Sequence, residues 1–519
     1  MAREKKEKDV KQESLESVLW ASANKLRGGV SPYDYMNVVL GLVFLKYLSD
    51  RFEVRRDKLI ADGEGFENDR DAYEEDLVFW IPEKARWSYI TSFTKSPEIG
   101  KILDDAFVEI EKENPTLKNI LPKTYSKLEI DKLLLGELVD LFTNKLDTKN
   151  YEGDLFGRVY EYFLGEFFKS LGQKGGEFYT PRCIVELLVN MIEPFKGKVY
   201  DPACGSGGMF VHSAKFVQEH QGNIDNIAIY GQEKEANTWR LAKMNLAIRG
   251  IEANLGLSNA DTFHDDKHPT LRADFILANP PFNISDYGQP KLLNDPRWMY
   301  GTPPQGNANY AWIQHMVSKL SPNGVAGFLL ANGSLSTSGK EEYAIRKAML
   351  EDGIVDAIVT LPTQLFSTVA IPVCAWFLRK NKANKGRTLF IDARQMGEMI
   401  DRKTRALTDE EIHKIADTYH NWLKNENYED VKGFCKSASI QEVREADYSL
   451  VPGRYVGIDN SNEMTPEQVE EEIKKVKLEL KELFAKDKEL DAKIMEILNS
   501  DDWWTRRAIK DSKKSYNNI

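Results

Sequence analysis

Between Lys198 and Leu378 the chain alternates short apolar runs with stretches of helical periodicity. The apolar runs are Lys198–Ala203, Ile227–Gln232, a short one before Asp261, Asp274–Ala278, Gly324–Leu330, Ile354–Thr360 and Val373–Leu378. Helical patterns occupy Gly208–Glu219, Lys234–Ile248, Asn309–Leu320 and Lys340–Leu350. Strands separated by helices of this length predict parallel pairing through crossover helices, hence an α/β fold with a doubly wound, mostly parallel sheet. Such a sheet binds its ligand beyond the carboxyl ends of its strands, where the strand order reverses. The loops that follow the first four strands are therefore where chemistry is expected.

Two of those loops are distinctive. Val199-Tyr200-Asp201-Pro202-Ala203-Cys204-Gly205-Ser206-Gly207-Gly208 runs from a buried strand into a glycine-rich turn before a helix. Glycine has no Cβ, so a ligand can approach this backbone closely. The other loop is Asn279-Pro280-Pro281-Phe282. Its prolines lack an N–H and fix φ, so it cannot continue a ladder and is stiff. A stiff loop can hold an amide, a backbone carbonyl and an aromatic face in place, which suits a planar, polar, stackable group such as a nucleobase. Glu233 and Asp261 also fall at strand ends. The glycine turn alone would equally fit a dinucleotide binder, but it reads Gly-Ser-Gly-Gly without the later glycine of that pattern.

Asp201–Gly207 followed by Asn279–Phe282 resembles the paired motifs of S-adenosylmethionine-dependent amino-methyltransferases acting on DNA adenine. Gly176-Glu177-Phe178-Tyr179-Thr180-Pro181, Gly231-Gln232-Glu233, Met244-Asn245-Leu246, Leu361-Pro362-Thr363-Gln364-Leu365-Phe366 and Ile371-Pro372-Val373-Cys374 extend the likeness. Together they are similar to the modification subunits of type I restriction–modification systems, over nearly the whole chain from about Leu15. The resemblance implies a Rossmann-like methyltransferase sheet, S-adenosyl-L-methionine as cofactor and N6 of adenine in double-stranded DNA as methyl acceptor. In that reading the Asn279 side-chain carbonyl and the Pro280 backbone carbonyl accept from the N6 hydrogens. Pro281 belongs to the same stiff loop, and Phe282 stacks on the flipped-out base. Gly205 and Gly207, with Ala203 and Ser206 in the same turn, pass the methionine moiety, and Asp201 orients that turn or the amino group. Glu233 accepts from ribose hydroxyls. Asp261 contacts the cofactor adenine or else caps a turn. Phe178, Tyr179, Thr180 and Pro181 close the pocket from the side. The displacement needs no metal. The absence of a large recognition domain after Ile371 implies a separate specificity subunit, with a restriction subunit for cleavage. The family pattern is two modification subunits per specificity subunit.

Outside the sheet, residues 1–14 are mixed-charge and expected to be a disordered tail. Residues 15–149 read as an N-terminal helical domain, with Ser31-Pro32 as a helix start and Tyr35–Phe52 as one apolar-faced helix. It is a structural cap, or by resemblance a DNA clamp. The acidic stretch Asp62–Arg86 is expected to be a surface insertion, with Trp80, Trp87 and Tyr89 packing on the helices. Residues 150–462 form the methyltransferase domain, and 463–519 a partner-binding helix and basic tail. In that helix Val469, Ile473, Val476, Leu480, Leu483, Leu490, Ile494 and Ile497 make a coiled-coil-like heptad stripe. It packs on its own domain or on the helical spacer of the specificity subunit.

The net charge of −11 argues against a chain that holds DNA by a broad surface of its own. Phosphate contacts are then local or supplied by a more basic partner. Val38–Leu48 is broken by Lys46 and too short to span a bilayer, so no membrane role is expected. Four cysteines without metal-ligand spacing fit thiols in a reducing cytoplasm. Two rivals remain: a stand-alone methyltransferase of RNA or protein, and a non-catalytic DNA-binding assembly subunit.

Overall fold

One sheet organises the chain. Its strands are β1 (Gly197–Asp201), β2 (Ile227–Gly231), β3 (Ala253–Asn254), β4 (Ala273–Ala278), β5 (Leu320–Ala331), β6 (Val355–Thr360), β7 (Val373–Arg379) and β8 (Arg387–Asp392). β9 (Glu398–Met399) and β10 (Arg405–Ala406) form a separate antiparallel pair, and β11 (Cys435–Ser439) returns to the main sheet. The order across the sheet is β11-β8-β6-β7-β5-β4-β1-β2-β3. β3, β2, β1, β4 and β5 are parallel, whereas β7 runs antiparallel to both β5 and β6. Only twelve residues, two of them prolines, separate β6 from β7, and the two strands pair antiparallel. Strand order reverses between β1 and β4, which opens the crevice where such sheets bind ligands. The computed structural model describes residues 14–25, 27–28, 30–128, 130–146, 154–171, 180–220, 222–366 and 372–458, with 473–474, 476–477, 480–481, 487 and 490 beyond them.

Helices cover both faces, so the strands are buried on both sides and read as near-continuous apolar runs. The helices are α1 (Leu15–Lys25), α2 (Pro32–Asp62), α3 (Asp71–Glu74), α4 (Trp87–Thr91), α5 (Ile99–Glu113), α6 (Lys132–Lys145) and α7 (Leu155–Leu171). They continue with α8 (Arg182–Ile192), α9 (Gly208–Glu219), α10 (Ala236–Ile248), α11 (Asn309–Lys319), α12 (Lys340–Asp352), α13 (Asp409–Lys424) and α14 (Ile440–Glu445). Alternation along β1 divides the core. Val199 packs into the cluster containing α8, α9, α10 and α13, and Tyr200 into the one containing α11 and α12. The first cluster continues without a break into the N-terminal helices, from Leu19 through Phe44 and Phe163.

The described residues bear out several sequence expectations and correct others. Ser31 caps α2, its side chain accepting from the Asp34 N–H with Pro32 at the first turn. The helix runs on past Phe52 to Asp62 and ends on Gly63 in the left-handed region (φ 71°). The acidic stretch Asp62–Arg86 is not a mere surface insertion. Tyr73 is fully buried and stacks on Phe52 at 4.8 Å, and Ile81 and Ala85 are buried too. Most of its charged residues are exposed, while Tyr73, Ile81 and Ala85 are buried between them, a pattern that average acidity hides. Trp87 packs as expected, its indole N–H donating to Thr143 Oγ1 (2.9 Å). The short strand expected just before Asp261 lies earlier, at β3. Tyr448–Val456, whose role the sequence left open, closes the outer sheet: Tyr455 stacks on Phe390 at 3.9 Å and Leu450 N–H donates to Leu335 O.

Ile458–Ile519 forms a second unit. There Ile473, Val476, Leu480 and Leu490 are helical and about half exposed. The other stripe positions, the basic tail, residues 1–13, and Phe178 and Tyr179 lie outside the described residues. Among the described residues no helix is long and apolar enough to cross a membrane.

In the helical region α6 crosses the segment after α4 at Gly136, where a Cβ would overlap the Thr94 carbonyl. Backbone contact of this kind cannot relax by a side-chain rotation. Gly136→Ala is expected to destabilise the chain by about 1–3 kcal/mol, read as a lowered midpoint in urea unfolding; an unchanged midpoint would refute this close packing.

Candidate active site

The site grows from the carboxyl ends of β1, β2 and β4. After Asp201 the chain turns through Gly205 (φ 54°) and Gly207 (φ 82°), left-handed conformations that favour glycine, and Gly207 caps α9. The two glycines serve different ends. A Cβ on Gly205 would meet nothing within 4 Å, whereas one on Gly207 would face Leu246 and Ala242 of α10 at 3.6–3.7 Å. Gly205 therefore leaves open space beside the turn, and at Gly207 it is the left-handed backbone, not crowding by α10, that favours glycine.

Buried carboxylates hold the turn. Glu233 accepts from the N–H of Gly205 (3.0 Å) and of Glu235 (2.8 Å). Burial raises its pKa, against the pull of these backbone donors. Asp201 accepts from the Ala203 N–H (2.9 Å). Burial pushes its pKa up to about 8, and the nearby Glu233 charge adds to the rise. Gln232, fully buried, ties the neighbouring loops together. Its side-chain N–H2 donates to Ala260 O and Asp265 O, and its Oε1 accepts from Lys267 N–H. Asp261 takes the turn-cap geometry: Oδ1 accepts from Phe263 N–H (2.9 Å) and Oδ2 pairs with Lys234 (3.1 Å).

β4 delivers Asn279 to the same edge. Its Nδ2 donates to Thr180 Oγ1 at 2.8 Å, at the entrance to α8, which Pro181 caps. Its Oδ1 is buried and accepts no hydrogen bond from the described residues. Beyond Pro281, Phe282 meets Phe366 edge-on at 6.4 Å. Asn309 on α11 then anchors the loop, receiving the Asn283 N–H and donating to Asn283 Oδ1.

A small cleft with a cavity volume of about 60 Å³ lies between these elements. Thr180, Asp201, Ala203, Gly205, Ser206 and Asn279 line it, so six of the expected residues converge on one space. Glu233 stands behind the turn; Gly207, Pro181 and Asp261 lie outside the lining. Sequence reasoning missed Phe168, Val185, Met209, His212 and Thr238, which complete the walls. Thr238 carried a usable signal, a polar residue on the inward side of the first turn of α10. The apolar wall residues look like ordinary core positions in the sequence.

Fold and site together define an α/β methyltransferase with an amide-tipped loop at the switch point of its sheet. Comparison with known proteins agrees. The family model for N-6 DNA methylase matches residues 151–464, and that for the HsdM N-terminal domain matches residues 15–142. The chain is 45% identical over 440 residues to the HindI methylase subunit of Haemophilus influenzae, covering 80% of this chain and 99% of that protein. It is 38% identical to the MjaIX methylase subunit of Methanocaldococcus jannaschii, covering 94% and 91%. A crystal structure of a type I methyltransferase subunit from Streptococcus thermophilus superposes with a TM-score of 0.72 at 27% identity, covering 85% and 99%. The chain belongs to the N-6 DNA methylases, in the family of type I restriction enzyme methylase subunits. It is thus an adenine-N6-specific DNA methyltransferase of a restriction–modification system.

Asp201 gives the site a pH signature. The folded chain holds a proton there that the unfolded chain releases. Stability from this group is therefore full below the ordinary carboxyl pKa of 3.8 and is lost as pH rises towards about 8. Asp201→Asn should flatten the decline in melting temperature of the ligand-free chain between pH 5 and 8, with Glu233 leaving a residual decline of the same sign. Parallel melting profiles for wild type and variant would contradict the assignment.

Proposed function

We propose that this chain binds S-adenosylmethionine in the cleft and methylates an adenine flipped out of duplex DNA at a site chosen by a specificity subunit. The observation that carries the reading is the buried Oδ1 of Asn279, which has no partner among the described residues. An unsatisfied buried acceptor costs roughly 1–3 kcal/mol. Thr180 fixes the other end of the amide, and in this reading the remaining acceptor would face the substrate. A donor such as the N6 amino group of adenine would satisfy it.

The residues around the cleft fit the cofactor. Gly205 leaves open backbone, Phe168, Val185 and Met209 supply apolar walls, and Asp201 and Glu233 supply acidic groups beside the turn. Asp201, Ala203, Gly205 and Ser206 would hold the methionine end. Glu233 would accept from ribose hydroxyls with lone pairs left over from its two backbone bonds, and Asp261 would lie towards the adenine end. When bound, S-adenosylmethionine supplies a methyl group already activated by its sulfonium.

The protein's task is positioning. Asn279 Oδ1 and the Pro280 carbonyl would accept from the N6 hydrogens and localise the nitrogen lone pair. Pro281 keeps the loop stiff, and Phe282 would stack on the base. Flipping costs about a few kcal/mol, and aromatic stacking returns roughly 1–3 kcal/mol. Segment 463–519, with its half-exposed Ile473, Val476, Leu480 and Leu490, would dock on the specificity subunit. The helical region 15–149 would help clamp DNA. The complex would carry two copies of this chain and recruit a restriction subunit in the cytoplasm, where the chromosome is.

Asn279→Ala, assayed in the complex, should lower kcat about 10²–10³-fold while calorimetry finds S-adenosylmethionine binding retained. Asn279→Asp, which keeps an acceptor, should be less impaired than Asn279→Ala. Wild-type turnover by Asn279→Ala would refute the catalytic role.

A further inference from the structure

The residues between β8 and α13 were left without a role by the sequence, and they build a small protrusion beside the catalytic loop. β9 and β10 pair Glu398 with Ala406 and Met399 with Arg405, closed by Ile400 N–H donating to Thr404 O (3.0 Å). Its base is fixed on the catalytic side of the sheet. Arg405 N–H donates to Gln364 O (2.8 Å), in the loop that follows β6. Two residues on, Phe366 packs edge-on against Phe282. The Arg405 guanidinium bonds Met396 O and Gly397 O, which stiffens the stem.

The tip combines two chemistries. Met399 and Ile400 are 45% and 65% exposed, adjacent, and cover no core. Two adjacent exposed aliphatic side chains at a hairpin tip give it an apolar point available for contact. Beside them stand Arg402 and Lys403, both exposed, with no ion pair among the described residues. The one acid at the turn is occupied locally, Asp401 Oδ1 accepting from the N–H groups of Lys403 (2.7 Å) and Thr404 (2.8 Å). An unpaired cationic couple is notable in a chain of net charge −11.

We propose that the 397–406 hairpin is a DNA wedge: Met399 and Ile400 enter the base stack next to the target adenine, and Arg402 and Lys403 hold the flanking phosphates. The idea rests on the adenine-methylation reading above and adds the element that opens the duplex. Apolar side chains between base steps unstack and kink DNA. Cations beside them neutralise phosphates and release counterions. Charge complementarity and the short structural path to Phe282 favour duplex DNA over a protein as the occupant.

The test uses the complete complex with its specificity subunit and a cognate duplex carrying 2-aminopurine at the target position. Met399→Ser/Ile400→Ser is expected to lose most of the fluorescence rise on binding and to lower kcat about tenfold, with Kd for DNA within about threefold. Arg402→Ala/Lys403→Ala is expected to weaken DNA binding and to reduce the slope of log K against log salt by about 2. Both variants should match wild type in melting temperature and in S-adenosylmethionine binding. Wild-type fluorescence and kcat in the serine variant overturn the wedge, even if the charge variant responds. Loss of the specificity subunit from either variant complex overturns it too, by making the hairpin a protein interface. A wild-type complex that methylates no adenine would remove the underlying reading and the wedge with it.

Discussion

Everything at the catalytic edge depends on how the two residues after β2 are satisfied. Gln232 donates its backbone N–H to Asp201 O and accepts from the Cys204 N–H, so it fastens the end of β1 on both sides of the turn. Its side chain bonds the loop after β3 through Ala260, Asp265 and Lys267. Glu233 then takes the Gly205 N–H. A buried polar group left unpaired is costly, and a fully paired one fixes a single arrangement. This dipeptide therefore holds three loops in register before any ligand arrives. Asn279 departs from this pattern: one end of its amide is paired and the other, like Asn332 Oδ1 after β5, has no partner among the described residues.

Much of this was legible in the sequence. Strand and helix periods placed several elements closely: Gly208–Glu219 is the helix expected, and β2, β4 and β6 differ by a residue at an end, whereas β5 starts four residues earlier than expected and β3 lies well before Asp261. The rule for open α/β sheets then put the glycine turn and the Asn-Pro-Pro-Phe loop on one edge, as observed. What escaped was pairwise in nature. No period reveals that Gln232 would stitch loops together, that Gly207 faces α10 while Gly205 faces the cleft, or that Asn309 anchors Asn283. The burial of Tyr73, Ile81 and Ala85 escaped because their apolar spacing is diluted by acidic neighbours.

Charge and chemistry divide sensibly in this chain. A net charge of −11 leaves little broad attraction for DNA, while the residues proposed for methyl transfer converge within a single chain. The half-exposed Ile473, Val476, Leu480 and Leu490 and the hairpin carrying Arg402 and Lys403 are two places where the surface of this acidic chain offers apolar or cationic groups. Such exceptions suit an enzyme that supplies catalysis and takes its sequence recognition from a partner.

The most direct measurement is mass spectrometry of N6-methyladenine in plasmid DNA from a host without adenine methylation of its own. The host would express this chain alone, then together with its specificity subunit. Methylation at a single site class in the paired case and none with the chain alone is the expected result. An absence of N6-methyladenine from the paired case would contradict catalysis by this chain, and methylation by the chain alone would contradict borrowed specificity.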